Sequence, residues 1–279
     1  MLSVKYVALT SCRNEEHFIQ RTIKRVLSQV PPPSCYVVVD DDSTDNTAAI
    51  ISEENRVELL SLHNPRHPIR GVNLAWALNA GIEQVTELVP DWDFLLKVDA
   101  DSILQNDYFQ QLLCKLEGNP SLGIVSGMPF DEKVWRGRAS DGAKVYRREC
   151  LDDIRPFYPC NAFDTLAFLQ AKKHDWRVES FPEIKYAQLR TWRRRRLSRW
   201  VLSGRSRYYL GFPSWHTFLI SLVYAMHRPP VIGSLSMFLS HLLTRIGSPR
   251  RPLSQDYYSF VPKYALLEAL ERLRERRIR

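Results

Sequence analysis

The chain has 279 residues, 44% of them hydrophobic and 25% charged, with 39 Lys and Arg against 31 Asp and Glu. That composition excludes disordered and fibrous classes, and the length suits one large α/β domain or a domain with an appendage. The net charge of +8 is local: Arg190, Arg193 to Arg196, Arg199, Arg205 and Arg207 put eight arginines and no acid into eighteen residues, and without them basic and acidic residues balance at 31 each. Such a run can meet phosphates, anionic lipid or nucleic acid. Five cysteines, with no CxxC pair, suggest neither a disulfide framework nor a zinc site and fit a reducing compartment. The first sixteen residues lack the apolar core of a secretory signal, so a cytoplasmic location is expected.

From residue 4 to about 128, β-rich apolar runs alternate with amphipathic helices, the signature of βαβ units and a largely parallel, doubly wound sheet with helices on both faces. Predicted strands cover residues 4–10, 35–39, 57–62, 92–98 and 122–128. Between the first two, Ile19, Ile23, Val26, Leu27 and Val30 form a helix face, with Asn14 as the expected N-cap and Pro31 to Pro33 as the stop. Further helices are expected over 71–88 and 107–117.

The second half is less regular. Residues 146–175 read as two helical pieces around Pro156 and Pro159, followed by two short strands split by Pro182. The apolar stretches 208–226 and 231–244 are interrupted by His227, Arg228, Pro229 and Pro230, and neither supplies the ~20 apolar residues of a transmembrane helix. Helices lying in the plane of a membrane surface fit better, with Phe218, Leu219, Leu222, Val223, Met237, Phe238, Leu242 and Leu243 as the apolar contacts.

In doubly wound sheets ligands bind beyond the carboxyl ends of the strands. Three of those loops are acidic or polar: Ser11 to Glu16, Asp40 to Ser43, and Asp99-Ala100-Asp101. No GxGxxG or GxxxxGK[ST] occurs, so a phosphate must be held another way. Asp99 and Asp101, two apart on an extended strand exit, can present both carboxylates to one side and share Mg²⁺ or Mn²⁺ with a diphosphate. The alternative role for Asp101 or Ser102 is to cap the following helix.

Taken together, TSCRNEEHFIQRTIKRVLSQ, VVVDDDSTDNT, GVNLAWALNAGI and FLLKVDADSIL, in this order, resemble the family 2 glycosyltransferases of the GT-A fold over roughly residues 3–190. The resemblance implies an inverting, metal-dependent transferase that moves a sugar from a nucleotide-diphospho-sugar donor. It implies that Ser11 and Glu15 line the nucleoside pocket, that Asp41 contacts the base or ribose, that Asn73 lies near the nucleotide, and that Asp99 and Asp101 form the sugar-nucleotide and metal motif. Asp40 and Asp42 are assigned to loop bonding.

GAKVYRREC followed by NAFDTLAFLQAKKHDWRVESFPEI resembles the acceptor half, which makes Asp164 the catalytic base; its alternative role is a helix cap. Three positions depart from the family pattern: Ser11 replaces a proline, Asp42 a glycine, and Phe163 an acidic residue before the base. Arg196 to Trp200 is similar to the QxxRW element of processive synthases without its glutamine, so processivity is not expected.

The expected organisation is a catalytic domain over 1–190, with a nucleotide-sugar half to 128 and an acceptor half over 129–190, then a basic, membrane-associating helical extension over 191–279. The expected acceptor is a lipid-linked or membrane-associated glycan in polysaccharide or glycolipid biosynthesis, with the enzyme peripheral on the inner face of an anionic membrane. Two alternatives are a sugar-phosphate nucleotidyltransferase, disfavoured because the first loop has no glycine, and a nucleic-acid-binding protein. The second would use the arginines with Trp192, Trp200, Tyr208 and Tyr209 as stacking platforms, but it leaves the three acidic loops unexplained.

Overall fold

The structure is a computed structural model that describes residues 4–63, 65–130, 136–190, 197–225, 230–247 and 250–277. The chain forms two compact units, Met1–Thr191 and Trp192–Arg279.

The first unit carries an eight-stranded sheet. In chain order its elements are β1 (Tyr6–Cys12), α1 (Ile19–Leu27), β2 (Cys35–Asp41), α2 (Thr47–Ser52), β3 (Glu58–Leu62), α3 (Arg70–Leu88), β4 (Phe94–Val98), β5 (Ser102–Leu104), α4 (Tyr108–Glu117), β6 (Leu122–Pro129), β7 (Ala143–Arg147), α5 (Arg148–Ile154), α6 (Phe163–Lys173) and β8 (Arg177–Gln188). The strand order is β3-β2-β1-β4-β7-β6-β8-β5. Strands β1 to β4 pair in parallel, as the βαβ pattern requires, whereas β7 runs antiparallel to both β4 and β6.

Alternation along each strand divides the core between two faces. Tyr6, Ala8, Tyr36, Val38, Leu96 and Val145 share one apolar cluster with Ile19, Ile23 and Val26 of α1 and with Phe109, Leu112 and Leu116 of α4. On the other face α3 lies against Leu9 and Val39 through Gly81. Helices therefore cover both faces, and the chain order reverses between β1 and β4, where such sheets leave a crevice.

Two local expectations need correction. Asn14 does not cap α1, whose N-cap position is Phe18 and has no side-chain bond. Asn14 instead adopts φ 53° and ties two loops together, its amide N donating to Ser43 Oγ at 2.9 Å and its Oδ1 accepting from Thr44 N at 2.8 Å. The segments on either side of Pro182 are one strand, β8, because its pairing with β6 absorbs the proline in an irregularity between Ser126 and Met128.

The second unit is helical: α7 (Leu197–Tyr209), α8 (Ser214–Val223), α9 (Ile232–Gly247) and α10 (Gln255–Arg277). Helices α7 and α9 approach so closely at Gly204 that a Cβ there would stand 2.0 Å from the Met237 carbonyl oxygen, so only glycine fits. Trp200, Ile220 and Met237 form the small core. Met237 is thus interior, and Phe238 is partly buried in ring contact with Phe218; the outward apolar residues of α9 are Ile232, Leu235, Leu239, Leu243 and Ile246. No described helix is long and apolar enough to cross a membrane.

The described arginines of the run differ in their surroundings. Arg207 packs over Phe212 and donates to Thr217 Oγ1 at 3.1 Å, Arg199 and Arg205 are exposed, and Arg193 to Arg196 lie outside the described residues. Trp200 and Tyr208 are buried, so they are not the stacking platforms that a nucleic-acid reading needs. Trp192 lies outside the described residues.

Candidate active site

The loops after β1, β2 and β4 are built as one assembly. Glu15 N donates to Thr47 Oγ1 at 2.7 Å, and Asn46 N donates to Glu16 Oε2 at 3.1 Å, so the first acidic loop is pinned to the start of α2. Asp40 accepts from the Ser43 hydroxyl and from Ser43 N, the loop bonding expected of it. Asp42 takes φ 58°, the left-handed conformation that favours glycine and that Asp tolerates better than most residues, and lies 3.7 Å from Arg13.

The residues Asp99-Ala100-Asp101 form a turn rather than an extended exit: Ser102 N donates to the Asp99 carbonyl at 3.0 Å. Thr22 of α1, fully buried, donates its hydroxyl to the Ala100 carbonyl at 2.7 Å and fixes the turn against the helix. Asp99 accepts from the Lys97 ammonium, and Asp101 lies 3.9 Å from the Arg190 guanidinium.

Arg190 is the site residue that sequence reasoning assigned elsewhere. Leu189 N donates to the Asp101 carbonyl at 2.8 Å, which brings the next residue over the donor loops. The Arg190 guanidinium then donates to Glu15 Oε2 at 2.5 Å and stands 5.3 Å from the centroid of the Phe18 ring. Glu15 and Asp101 are thereby joined through one cation. Burial pushes both carboxyls above their ordinary range; Arg190 opposes the rise at Glu15, while Asp99 adds to it at Asp101.

The remaining predicted nucleotide contacts sit differently. Ser11 is half-buried at the end of β1, opposite Val39 in the ladder. Asp41 is half-buried at the end of β2, its carboxyl raised by burial against the pull of Arg13 and Arg66. Asn73 is buried and spends its amide on His67, accepting from His67 N at 3.0 Å and donating to the His67 carbonyl at 2.8 Å. Its described contacts hold the segment before α3. Neither Asp41 nor Asn73 bonds Asp99 or Asp101 among the described residues.

Asp164 belongs to a second group of charges. It opens α6 with a quarter of its side chain exposed, 3.7 Å from Arg138, in a small cavity lined by Asp141, Lys144, Tyr146 and Phe168. The surrounding protein raises its carboxyl above the ordinary range, and Asp141 raises it further. Lys144, almost buried in β7, pairs with Asp141 at 2.7 Å. Lys97 of β4 donates to the Asp141 carbonyl at 2.8 Å as well as to the Asp99 carboxylate, so a polar chain runs from the turn of Asp99 to the loop of Asp141. The loop before Asp164 rests on α3: a Cβ at Gly71 would stand 2.6 Å from the Cys160 oxygen and 2.7 Å from the Asn161 oxygen.

The donor set fits a hard divalent cation. Asp99 and Asp101 are carboxylates on one turn; burial raises the Asp101 carboxyl and the charge of Asp99 adds to the rise, and a shared cation would offset both. No cluster of three or more His, Cys, Asp or Glu suited to a metal occurs among the described residues. The protein side therefore offers two ligands and leaves the rest of a coordination shell to water and phosphate oxygens, a usual arrangement for Mg²⁺.

Comparison with known proteins gives the family and the fold. The sequence model for "Glycosyl transferase family 2" matches residues 8–172. The poly-β-1,6-N-acetyl-D-glucosamine synthase of Staphylococcus epidermidis is 32% identical over 127 residues, a match covering 43% of this chain and 27% of that enzyme. Among solved structures, Pyrobaculum calidifontis mannosyltransferase PcManGT, in complex with GDP-Man and Mn²⁺, superposes with a TM-score of 0.57 at 15% identity, covering 96% of this chain and 87% of that one. A 1–349 form of Staphylococcus aureus TarS gives 0.54 at 15% identity over 94% and 82%. Glucosyl-3-phosphoglycerate synthase from Mycobacterium tuberculosis, in complex with Mn²⁺, UDP and phosphoglyceric acid, gives 0.54 at 17% over 80% and 78%. At these identities the structures establish the GT-A fold, and the match over residues 8–172 establishes the rest: the chain belongs to glycosyl transferase family 2.

Proposed function

We propose that this glycosyltransferase is inverting and metal-dependent, and that it moves a sugar from a nucleotide-diphospho-sugar to a lipid-linked or membrane-associated glycan. The observation that carries the reading is the grouping of Glu15, Asp99, Asp101 and Arg190 at the ends of β1 and β4, with Asp141, which lines one cavity with Asp164, joined to Asp99 through Lys97.

In this reading Ser11, Glu15 and Asp41 hold the nucleoside, carboxylates accepting from ribose hydroxyls or a base N–H, and Asn73 fixes the adjoining loop. Asp99 and Asp101 hold Mg²⁺ or Mn²⁺, which when bound supplies Lewis-acid neutralisation of the diphosphate charge. Related structures containing Mn²⁺ with GDP-Man or UDP support that choice. Asp164 acts in its ionised form. It takes the proton of the acceptor hydroxyl as that oxygen bonds to the anomeric carbon, and the bond to the diphosphate oxygen breaks with its electron pair on the leaving nucleoside diphosphate. Attack opposite the leaving group inverts the anomeric configuration.

The membrane assignment rests on the second unit. Phe218, Leu219, Leu222 and Val223 of α8 and Leu235, Leu239, Leu243 and Ile246 of α9 are exposed, as are Arg199 and Arg205 on α7. Apolar faces near cations suit shallow insertion at an anionic surface, peripheral on the cytoplasmic face, which would bring the site to an acceptor that stays in the bilayer. Nucleic acid is not an expected partner.

The test is a panel of UDP- and GDP-sugars, with Mg²⁺, Mn²⁺ or EDTA, read by thermal shift and by donor turnover. Once a donor is found, Asp164→Asn should bind it yet lose ~10² to 10⁴-fold in transfer, the range for a general base. A fully active Asn variant, or a product that keeps the donor's configuration, would overturn the reading.

A further inference from the structure

The family pattern places an acidic residue just before the base, and this chain has Phe163 there. The Phe163 side chain is buried, with its ring centroid 5.8 Å from that of Phe157, so the position has been given to the core. A second carboxylate nevertheless reaches Asp164. It belongs to Asp141, which immediately precedes Gly142 and β7 and is 23 residues away in sequence.

The geometry around Asp141 is over-determined. Its backbone carbonyl accepts from Lys97 at 2.8 Å, the neighbouring Gly142 carbonyl accepts from Asp99 N at 2.8 Å, and its carboxylate is 2.7 Å from the Lys144 ammonium. Its carboxyl and that of Asp164 line one small cavity together with Lys144 and Arg138. Two carboxylates that share a site repel each other, so one of them holds its proton to a higher pH. Lys144 keeps Asp141 ionised, pulling its carboxyl far below the ordinary range once burial is overcome, so the proton belongs to Asp164. The other groups facing the pair are Arg138, 3.7 Å from Asp164 and donating to Thr165 Oγ1 at 2.9 Å, and Tyr146 and Cys160, both neutral in the ordinary range because burial raises them.

We propose that Asp141 is a positioning residue for the transfer reaction: from the loop before β7 it supplies the second carboxylate that Phe163 denies the site, and, anchored by Lys97 and Lys144, it faces Asp164 across their common cavity. The inference rests on Asp164 being the base. Its consequence is that the resting enzyme keeps the base protonated at low pH, and that Asp164 becomes competent only when its proton leaves. Lys144, buried and paired, sets which member of the pair carries that proton.

The experiment uses the full chain labelled with ¹³C-carboxyl aspartate and follows the carboxyl resonances against pH, the Asp164 signal being the one lost in Asp164→Asn. In the wild type that resonance should titrate above the other aspartates. In Asp141→Asn it should move down by about one pH unit or more, because a like charge is removed while Lys144 stays. In Lys144→Met the upper midpoint of the pair should move up instead, and this variant keeps the test decisive if Asp141→Asn does not fold. The acid limb of the transfer rate should follow each shift. An Asp164 midpoint unmoved in Asp141→Asn, or shifts of the same sign in both variants, would overturn the role given to Asp141. Full transfer by Asp164→Asn would instead overturn the base assignment on which it rests.

Discussion

Arg190→Met isolates the contact that joins the donor loops to the end of the sheet. It removes the guanidinium that donates to Glu15 at 2.5 Å and keeps an unbranched apolar stem near Phe18. The Glu15 side chain is 9% exposed and that of Arg190 46%, so the pair is half in water. A hydrogen bond to a charged group contributes ~1.5–3 kcal/mol when buried, and exposed pairs ~0.2–1 kcal/mol; an intermediate loss of about 1 kcal/mol follows. For a unit of this size that corresponds to about 2–4 °C in Tm.

The pH dependence carries the sharper test. Burial holds the Glu15 carboxyl above its ordinary value and Arg190 restrains the rise, so removing Arg190 raises it further. A carboxyl raised in the folded state favours folding while protonated, and that stability is lost as pH rises through the folded value. The Tm deficit of the variant should therefore be small below the ordinary glutamate value of about 4.3 and grow to its full size near neutrality. Melting curves of both proteins across that range, at constant low salt, read the effect, and adding Glu15→Gln to the variant should abolish its pH-dependent part. A deficit equal at every pH would assign the loss to packing on Phe18 and refute the electrostatic account.

Three further outcomes follow from other parts of the molecule. Asp101→Ala should keep the fold, since the Thr22 bond goes to the Ala100 carbonyl, but should lose Mn²⁺-dependent stabilisation by the donor identified in the nucleotide-sugar screen; an undiminished thermal shift would remove Asp101 from donor binding. Gly71→Ala should destabilise by ~1–3 kcal/mol and lower transfer, because its Cβ meets the Cys160 and Asn161 carbonyls just before α6; unchanged melting would show that the loop yields freely. Replacing Arg193 to Arg196 with serine should weaken binding to anionic liposomes more at low salt than at high salt, and equal effects at both would exclude an electrostatic share.

The parallel half of the fold was legible because each buried strand is a short apolar run closed by polar loops, and the loop chemistry stood at the strand ends where open sheets bind ligands. Strands β5 and β7 left weaker traces: one has three residues, and the other, buried on both faces, carries Lys144 on the face opposite Ala143 and Val145. Pro182 read as a break because a sequence cannot show that a partner strand will absorb it in an irregularity. Asn14 looked like a cap, yet its amide was needed to join two loops. Arg190 was hidden by its neighbours, since a charge run invites one explanation for all its members, while the chain delivers this arginine to the donor loops through the bond from Leu189 N to Asp101.

The pairing of β4 with β7 explains why the two charge groups are inseparable. Antiparallel register sets Lys97 directly opposite Lys144, and facing side chains of a ladder lie on the same side of the sheet. Two nearly buried ammonium groups at that spacing repel unless each has its own counter-charge. Asp99 answers the first and Asp141 the second, and the Lys97 bond to the Asp141 carbonyl holds both acids to one strand pair. A buried ion that loses its partner is far more costly than an exposed one. The lysines therefore act as anchors: displacing either acid would strand a cation in the sheet, which keeps the Asp99–Asp101 turn and the loop of Asp141 in fixed relation.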